Sequence, residues 1–72
     1  MAQWEYCTID ESHNGFIVHF SDKRPNVEHG RYRDIAQILG ELGQEGWELV
    51  SAFAPKIPIR ETCFVLKRPL QG

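Results

Sequence analysis

A single stretch of helical periodicity limits the architectures open to this chain. Between about residue 32 and residue 45, apolar residues recur at three- and four-residue spacing and form one stripe: Tyr32, Ile35, Ile38, Leu39 and Leu42. Asp34 lies in the first turn, where the helix dipole favours a negative charge, and Gly46 can adopt the left-handed conformation that ends a helix. Gly40 and Gly43 lie inside this span, where each costs up to ~1 kcal/mol relative to alanine. We expect them to let the helix lie close to a sheet.

A β-hairpin is predicted before the helix. Residues 4–13 and 16–20 are rich in aromatic and β-branched residues, and Asn14-Gly15 between them favours a type I′ turn. This turn pairs Asp10 with His19 and Ile9 with Phe20. The face opposite Cys7 and Ile9 then carries three large apolar residues, Trp4, Tyr6 and Ile17. Either both faces of the hairpin are partly buried, or a bulge shifts the register between Tyr6 and Asp10.

Two further strands are expected after the helix. Residues 21–30 are polar and are predicted to form a loop, whereas residues 47–54 alternate and place Trp47, Leu49, Ser51 and Phe53 on one side. Residues 62–68 form the last strand, which Pro69 stops. The prediction is one α+β domain over residues 1–72, in ββαββ order, with a four-stranded, mainly antiparallel sheet and one helix on one face. The expected core is Ile35, Leu39, Leu42, Trp47, Leu49, Phe64 and Leu66.

Three segments of the sequence form a recognisable pattern: Trp4-Glu5-Tyr6, the run LGQEGWELV from Leu42 to Val50, and Lys67-Arg68-Pro69. This pattern resembles the small bacterial family called domain of unknown function 4177, and the match covers nearly the whole chain. The section from His19 to Arg31 departs from it, since a shorter or differently built connector is expected in many relatives. The resemblance implies a fold and supplies no catalytic residues.

Composition and charge argue against several classes of protein. The formal net charge is −2 and the basic residues are scattered, which is not typical of a nucleic-acid-binding protein. No run approaches the ~18 apolar residues of a membrane span, and the N-terminus does not resemble a signal peptide. We therefore expect a cytoplasmic protein in which Cys7 and Cys63 are reduced and buried among apolar neighbours.

No arrangement of residues predicts catalysis or metal binding. The three histidines are His13, His19 and His29, and together with Cys7 they lack the paired spacings of zinc ligands. Neither cysteine is expected to have a lowered pKa, so a reactive thiol is not predicted. The pair Asp10 and His19 is typical of a solvent-exposed cross-strand pair. The sequence predicts a protein that is not an enzyme and has no cofactor.

Apolar residues on both faces of the sheet are the more informative signal. One helix covers one face, so the other face is expected to form an interface. The favoured function is a non-catalytic module that forms a homodimer or a higher homo-oligomer, sheet against sheet or edge against edge, and binds a protein partner. The expected interface anchors are Trp4, Tyr6, Ile17 and Val65. The alternative is a small-molecule-binding or sequestering protein for a nucleotide-like ligand, with a pocket at the subunit interface formed by Trp4, Tyr6, His19, Arg31 and Arg33.

Overall fold

The computed structural model describes residues 3–12, 15–30, 34–54 and 62–70. Its elements are β1 (Trp4–Ser12), β2 (Gly15–Phe20), β3 (Val27–His29), α1 (Ile35–Gln44), β4 (Glu48–Phe53) and β5 (Cys63–Pro69). These strands form one antiparallel sheet in the order β3-β2-β1-β5-β4. The α+β fold with one helix is confirmed for the described residues. The predicted four strands in ββαββ order are wrong in detail, because β3 forms within the expected loop and the order is βββαββ.

The β1–β2 hairpin forms, but its register differs from the predicted one by two residues. Ile9 pairs with Val18 instead of Phe20, and the last pair is Ser12 with Gly15. A shift of two residues leaves every side chain on its predicted face. Gly15 has a φ of 129°, and a Cβ there would clash with the carbonyl oxygen of His29. Gly15 therefore allows the β3 backbone to approach β2, whereas the sequence pattern placed it at the centre of a turn. His13 and Asn14 lie outside the described residues.

Both ends of α1 have local signals that explain its limits. Asp34 is the N-cap, and its amide donates a hydrogen bond to Oε1 of Gln37 at 3.1 Å. At the other end Gly46 has a φ of 93°, its N–H donates to the carbonyl of Gly43, and the N–H of Trp47 donates to the carbonyl of Leu42. These two bonds form a Schellman motif, as the position of Gly46 predicts. Tyr32, expected in the first turn, lies outside the described residues.

The two glycines inside α1 do not have the expected role. A Cβ added to Gly40 or to Gly43 would meet no atom within 4 Å, and both residues are exposed. The expectation that they bring the helix close to the sheet is therefore wrong.

The core lies between α1 and the middle of the sheet. It consists of residues at most 6% exposed: Cys7, Ile9, Val18, Ile38, Leu42, Trp47 and Leu66. Ile35, Leu39 and Phe64 pack against this cluster and are partly buried. Leu49 is 47% exposed, which contradicts its predicted burial. The cluster is built on β1, β2 and β5, and no residue of β4 is buried, so the helix leaves this strand uncovered.

A β-bulge in β4 changes which faces its side chains occupy. Leu49 pairs with Leu66 and Ala52 with Phe64, and the register shifts between Leu49 and Ser51. Leu49 and Ala52 therefore share the helix side of the sheet, whereas Ser51 and Phe53 lie on the opposite side. The predicted alternation, with Leu49 and Phe53 on one side, is wrong because a bulge inserts one extra residue into the strand.

Candidate functional site

The face of the sheet opposite α1, called the open face below, carries most of the candidate functional residues. The strand registers place on it alternate residues of the five strands, among them Trp4, Tyr6, Thr8, Asp10, Ile17, His19, Glu28, Glu48, Ser51, Phe53, Cys63, Val65 and Lys67. In the described part of the chain no helix covers this face. Trp4, Tyr6 and Phe53 are 38%, 46% and 50% exposed. The open face therefore exposes three large aromatic rings among polar and charged residues in a single copy of the chain.

The four predicted interface anchors all lie on the open face, although not all in the same part of it. Trp4, Tyr6 and Val65 lie on β1 and β5, and Tyr6 is in the same cross-strand row as Lys67 and Glu48, at the start of β4. Ile17 lies on β2, where its neighbours across the strands are Asp10 and Glu28. Exposed rings therefore lie at both ends of the open face: Trp4 and Tyr6 at one end, and Phe53 at the other, in the same cross-strand row as Cys63, Asp10 and Ile17.

Two residues of this surface were not found by sequence reasoning. The regular alternation of residues 47–54 predicts Phe53 on the same side as Leu49, and the bulge moves it to the open face. Lys67 lies opposite Tyr6 on one neighbouring strand and opposite Glu48 on the other, and its Nζ is 4.0 Å from the ring centroid of Trp4. A lysine over an indole ring forms a cation–π contact that fixes the ring on the surface. The signal that could have found it is the alternation of the last strand, which places Lys67 with Val65.

The predicted pair of Asp10 and His19 forms, but as diagonal neighbours. The strand partners are Asp10 with Ile17 and Thr8 with His19, and Nε2 of His19 lies 3.2 Å from Oδ2 of Asp10. Both side chains are more than 40% exposed. An exposed cross-strand contact of this kind contributes at most about 1 kcal/mol. The pair is therefore a surface feature of the sheet.

The residues predicted to hold a small molecule are only partly brought together. Tyr6 and His19 line one shallow depression of about 180 Å³ on the open face. Trp4 lies on the same face but does not line that depression, while Arg31 and Arg33 lie outside the described residues. Pockets for small molecules usually measure about 300–1,000 Å³. The depression is too small to enclose a nucleotide-like ligand in one copy of the chain.

The two cysteines lie on opposite faces of the sheet. Cys7 is buried on the helix side, and burial raises its pKa to about 11. Cys63 is half-buried on the open face opposite Asp10; burial raises its pKa to about 11, and a hydrogen bond with the Asp10 carboxylate acts in the same direction. Both are free thiols that stay protonated at neutral pH, which disfavours nucleophilic chemistry. The expected burial is correct for Cys7 and incomplete for Cys63.

An ionic cluster closes one end of the core. It is formed by Glu5, Arg24, Glu45 and Arg68. Nε of Arg68 donates to Oε1 of Glu5 at 2.6 Å, and its Nη1 donates to the carbonyl of Glu45 at 2.8 Å. Arg24 approaches the same Oε1 atom at 3.6 Å and Oε1 of Glu45 at 3.9 Å.

The guanidinium groups of this cluster also cover aromatic rings of the core. Arg68 lies 4.4 Å from the ring centroid of Trp47, and Arg24 lies 4.2 Å from that of Phe20. The two rings are themselves 5.9 Å apart. Each guanidinium is paired with a carboxylate and stacked on a ring, so the cluster is already satisfied without a ligand. This arrangement indicates a structural role for the ionic cluster.

Neither a metal site nor a membrane-spanning helix is present in the described residues. Among residues 3–12, 15–30, 34–54 and 62–70, no three His, Cys, Asp or Glu side chains are arranged to hold a metal ion. No helix in those ranges is long and apolar enough to cross a membrane.

Comparison of the chain with protein-family models, with curated proteins and with solved structures gave no match. The resemblance to domain of unknown function 4177 therefore stays a prediction.

Proposed function

We propose that this chain is a non-catalytic module that associates with a second copy of itself through the open face and, so assembled, binds a protein partner. The observation that carries the proposal is the exposure of Trp4, Tyr6 and Phe53 on a sheet face without a helix. An apolar surface of this kind on a small domain is typical of an interaction site. A small domain also gains core from association, because a short chain buries a limited share of its surface alone.

The chemistry of the open face suits a self-complementary contact. Aromatic residues dominate the centres of interfaces, and large rings bury about 150–250 Å² each. Two copies packed face to face cover the parts of Trp4, Tyr6 and Phe53 that are exposed in one copy, 38%, 46% and 50%, and these areas contribute to the about 1,000 Å² that a stable interface needs. Lys67 lies on this face opposite Glu48 of the neighbouring strand. The Glu48 carboxylate is therefore available to pair with Lys67 when the contact between the two copies removes water from the lysine.

The family resemblance is part of the same proposal. The three segments that carry it meet in the ionic cluster: Glu5 comes from the first, Glu45 and Trp47 from the second, and Arg68 from the third. This convergence supports the interpretation of the sequence pattern as a fold signature. Trp4, Tyr6 and Lys67 of the same pattern lie on the open face, where we place the function.

The small-molecule alternative is less well supported. The depression lined by Tyr6 and His19 is about 180 Å³, and no cationic side chain of the described residues lines it. A thermal-shift screen with nucleotides tests this alternative directly, since a ligand at 100 times its Kd adds about 2.7 kcal/mol to stability. A stabilising nucleotide would favour ligand binding over association as the function.

Substitution of Tyr6 by glutamate tests the proposed interface. The expected result is that Tyr6→Glu halves the mass measured by light scattering at high micromolar concentration, because it places a charge at the centre of an apolar contact. Val27→Glu is the matched control, since Val27 is 42% exposed but pairs with Val18 on the helix side of the sheet. This control should keep the wild-type mass.

Two results would contradict the proposal. A wild-type chain that is monomeric at high micromolar concentration excludes the interface. A Tyr6→Glu variant that keeps the wild-type mass, with a circular dichroism spectrum unchanged, shows that association uses another surface.

A further inference from the structure

The two edges of the sheet differ in how well they are protected against pairing with another strand. β3, at one edge, has three residues, of which the central one is Glu28. Short edge strands and charged side chains are common protections against edge-to-edge pairing. β4, at the other edge, has six residues, and the five from Leu49 to Phe53 are uncharged and include no proline. The β4 edge therefore lacks the protections that β3 has.

Exposure of β4 is unusual for so apolar a strand. Every residue of β4 is exposed, and Leu49, Val50 and Phe53 are 47%, 52% and 50% exposed. Within the described residues, β5 is the one strand that pairs with it. Its outer side thus presents unpaired backbone donors and acceptors next to apolar side chains on both faces of the sheet, which is the surface that an added strand uses.

We propose that β4 pairs antiparallel with β4 of a second copy of this chain, joining two sheets edge to edge. The bulge decides how the side chains meet. Because Leu49 and Ala52 share the helix side, a two-fold axis between Val50 and Ser51 sets Leu49 opposite Ala52 of the second copy. The same axis sets Glu48 opposite Phe53 on the open face. Each pair of opposed residues then lies on one face of the joined sheet, as antiparallel pairing requires.

The charge on β4 is compatible with this antiparallel arrangement. Glu48 is the one charged residue of the strand. Antiparallel pairing about this axis places the two Glu48 residues at opposite ends, about 16 Å apart at roughly 3.3 Å per residue. That separation exceeds the Debye length of about 8 Å at physiological salt, so their repulsion is largely screened. A parallel pairing of the same two edges would need a two-fold axis along the strands, which turns one sheet over and sets its helix side beside the open face of the other.

This edge contact adds to the proposed contact of the open faces and does not depend on it. Two different two-fold interfaces on one chain build a closed assembly of four chains, or an open one if the axes do not meet. Joining the edges also brings the open faces of two copies side by side, with Phe53 of each near the junction. The bulge at Val50 is the feature of β4 that opposes addition of a flat strand, since bulges increase local twist.

A pair of double variants that differ at one residue tests the edge contact. Leu49→Lys with Ala52→Lys sets lysine opposite lysine twice across the proposed axis, and we expect it to halve the assembly mass. Leu49→Lys with Ala52→Glu sets lysine opposite glutamate twice, and we expect it to keep the wild-type mass at low salt and lose it as salt is raised. Both residues are exposed and lie on the helix side, so these changes leave the open face unaltered.

The outcomes separate the two interfaces. Val27→Lys on the β3 edge is the control and should keep the wild-type mass. Hydrogen exchange of the β4 amides should be faster in the lysine–lysine variant than in the lysine–glutamate variant. If both double variants behave alike, in mass and in exchange, the proposed edge contact is wrong, even where Tyr6→Glu still halves the mass. If Tyr6→Glu has no effect and the lysine–lysine variant does, the edge contact stands and the open-face contact fails.

Discussion

Arg68 of the ionic cluster joins three parts of the fold. Its side chain donates to a carboxylate on β1 and to the backbone carbonyl of Glu45 at the end of α1, and it covers the ring of Trp47. A cation at the C-terminal end of a helix also interacts favourably with the helix dipole. The indole Nε1 of Trp47 is buried and has no hydrogen-bond partner among the described residues, so contact with the arginine and with Phe20 supports this ring.

Two glycine substitutions distinguish a glycine that the backbone conformation requires, Gly46, from one that it does not require, Gly40. Gly40→Ala should raise the free energy of unfolding by up to about 1 kcal/mol, because alanine favours a helix interior. The added Cβ would meet no atom within 4 Å. Gly46→Ala should lower it by about 1 kcal/mol or more, because its φ of 93° is unfavourable for a residue with a side chain. Urea unfolding of the two variants measures both changes, and equal midpoints would contradict the prediction.

The buried thiols predict a decrease in stability at alkaline pH. The pKa of Cys7 is raised from 9.0 to about 11 in the folded chain by burial. Between these values the unfolded chain loses the thiol proton while the folded chain keeps it. The free energy of unfolding should therefore fall as pH rises from about 9 to about 11, since the folded state binds more protons there.

Urea unfolding at pH 8 and at pH 10 measures this effect. Cys63 contributes in the same direction, because its pKa is also raised to about 11. A variant with Cys7→Ala and Cys63→Ala should lose less stability between the two pH values than the wild-type chain does. An identical loss would show that other groups, such as tyrosines or lysines, account for the pH dependence.

At the level of elements, α1 is the part that sequence predicts best. Its apolar stripe, its end at Gly46 and its place on one face of a sheet all follow from local signals. Those signals lie within a few residues of each other, so they favour the helix and define its ends without contacts from distant parts of the chain. The β4 bulge has no such local signal, because the run from Trp47 to Phe53 alternates regularly. The position of the extra residue depends on how β4 pairs with β5.

The orientation of α1 gives a prediction that separates neighbouring residues of its stripe. Ile38 is 1% exposed, whereas Leu39 is only partly buried at the side of the core. Ile38→Ala should lower the free energy of unfolding by about 2–5 kcal/mol, and Leu39→Ala by less, because a fully enclosed site leaves a larger cavity. Denaturant titration of both variants measures the difference. A larger loss for Leu39→Ala would mean that the helix is rotated about its axis.

For the whole molecule, the sequence predicts the existence of an uncovered apolar face but not its composition. One helix can cover only one face of the sheet, and apolar residues occur on both sides of the strands, so an uncovered apolar face is predicted. Trp4, Tyr6 and Val65 lie on it. The exposed edge at β4 could not be foreseen, because strand order depends on pairings between distant parts of the chain. The short β3 was missed because Val27–His29 resembles a polar loop, and it forms as an addition to β2.

The strand order has a consequence for how this chain reaches its fold. β1 is the central strand, and its partner β5 follows the other strands of this sheet in the chain: Trp4 pairs with Pro69 and Asp10 with Cys63. Contacts between such distant residues make folding slow, because a long loop must close before they form. On the ribosome, one side of β1 therefore stays unpaired until β5 emerges. During that interval the nascent chain has an incomplete core and depends on its hairpin to limit contact with other chains.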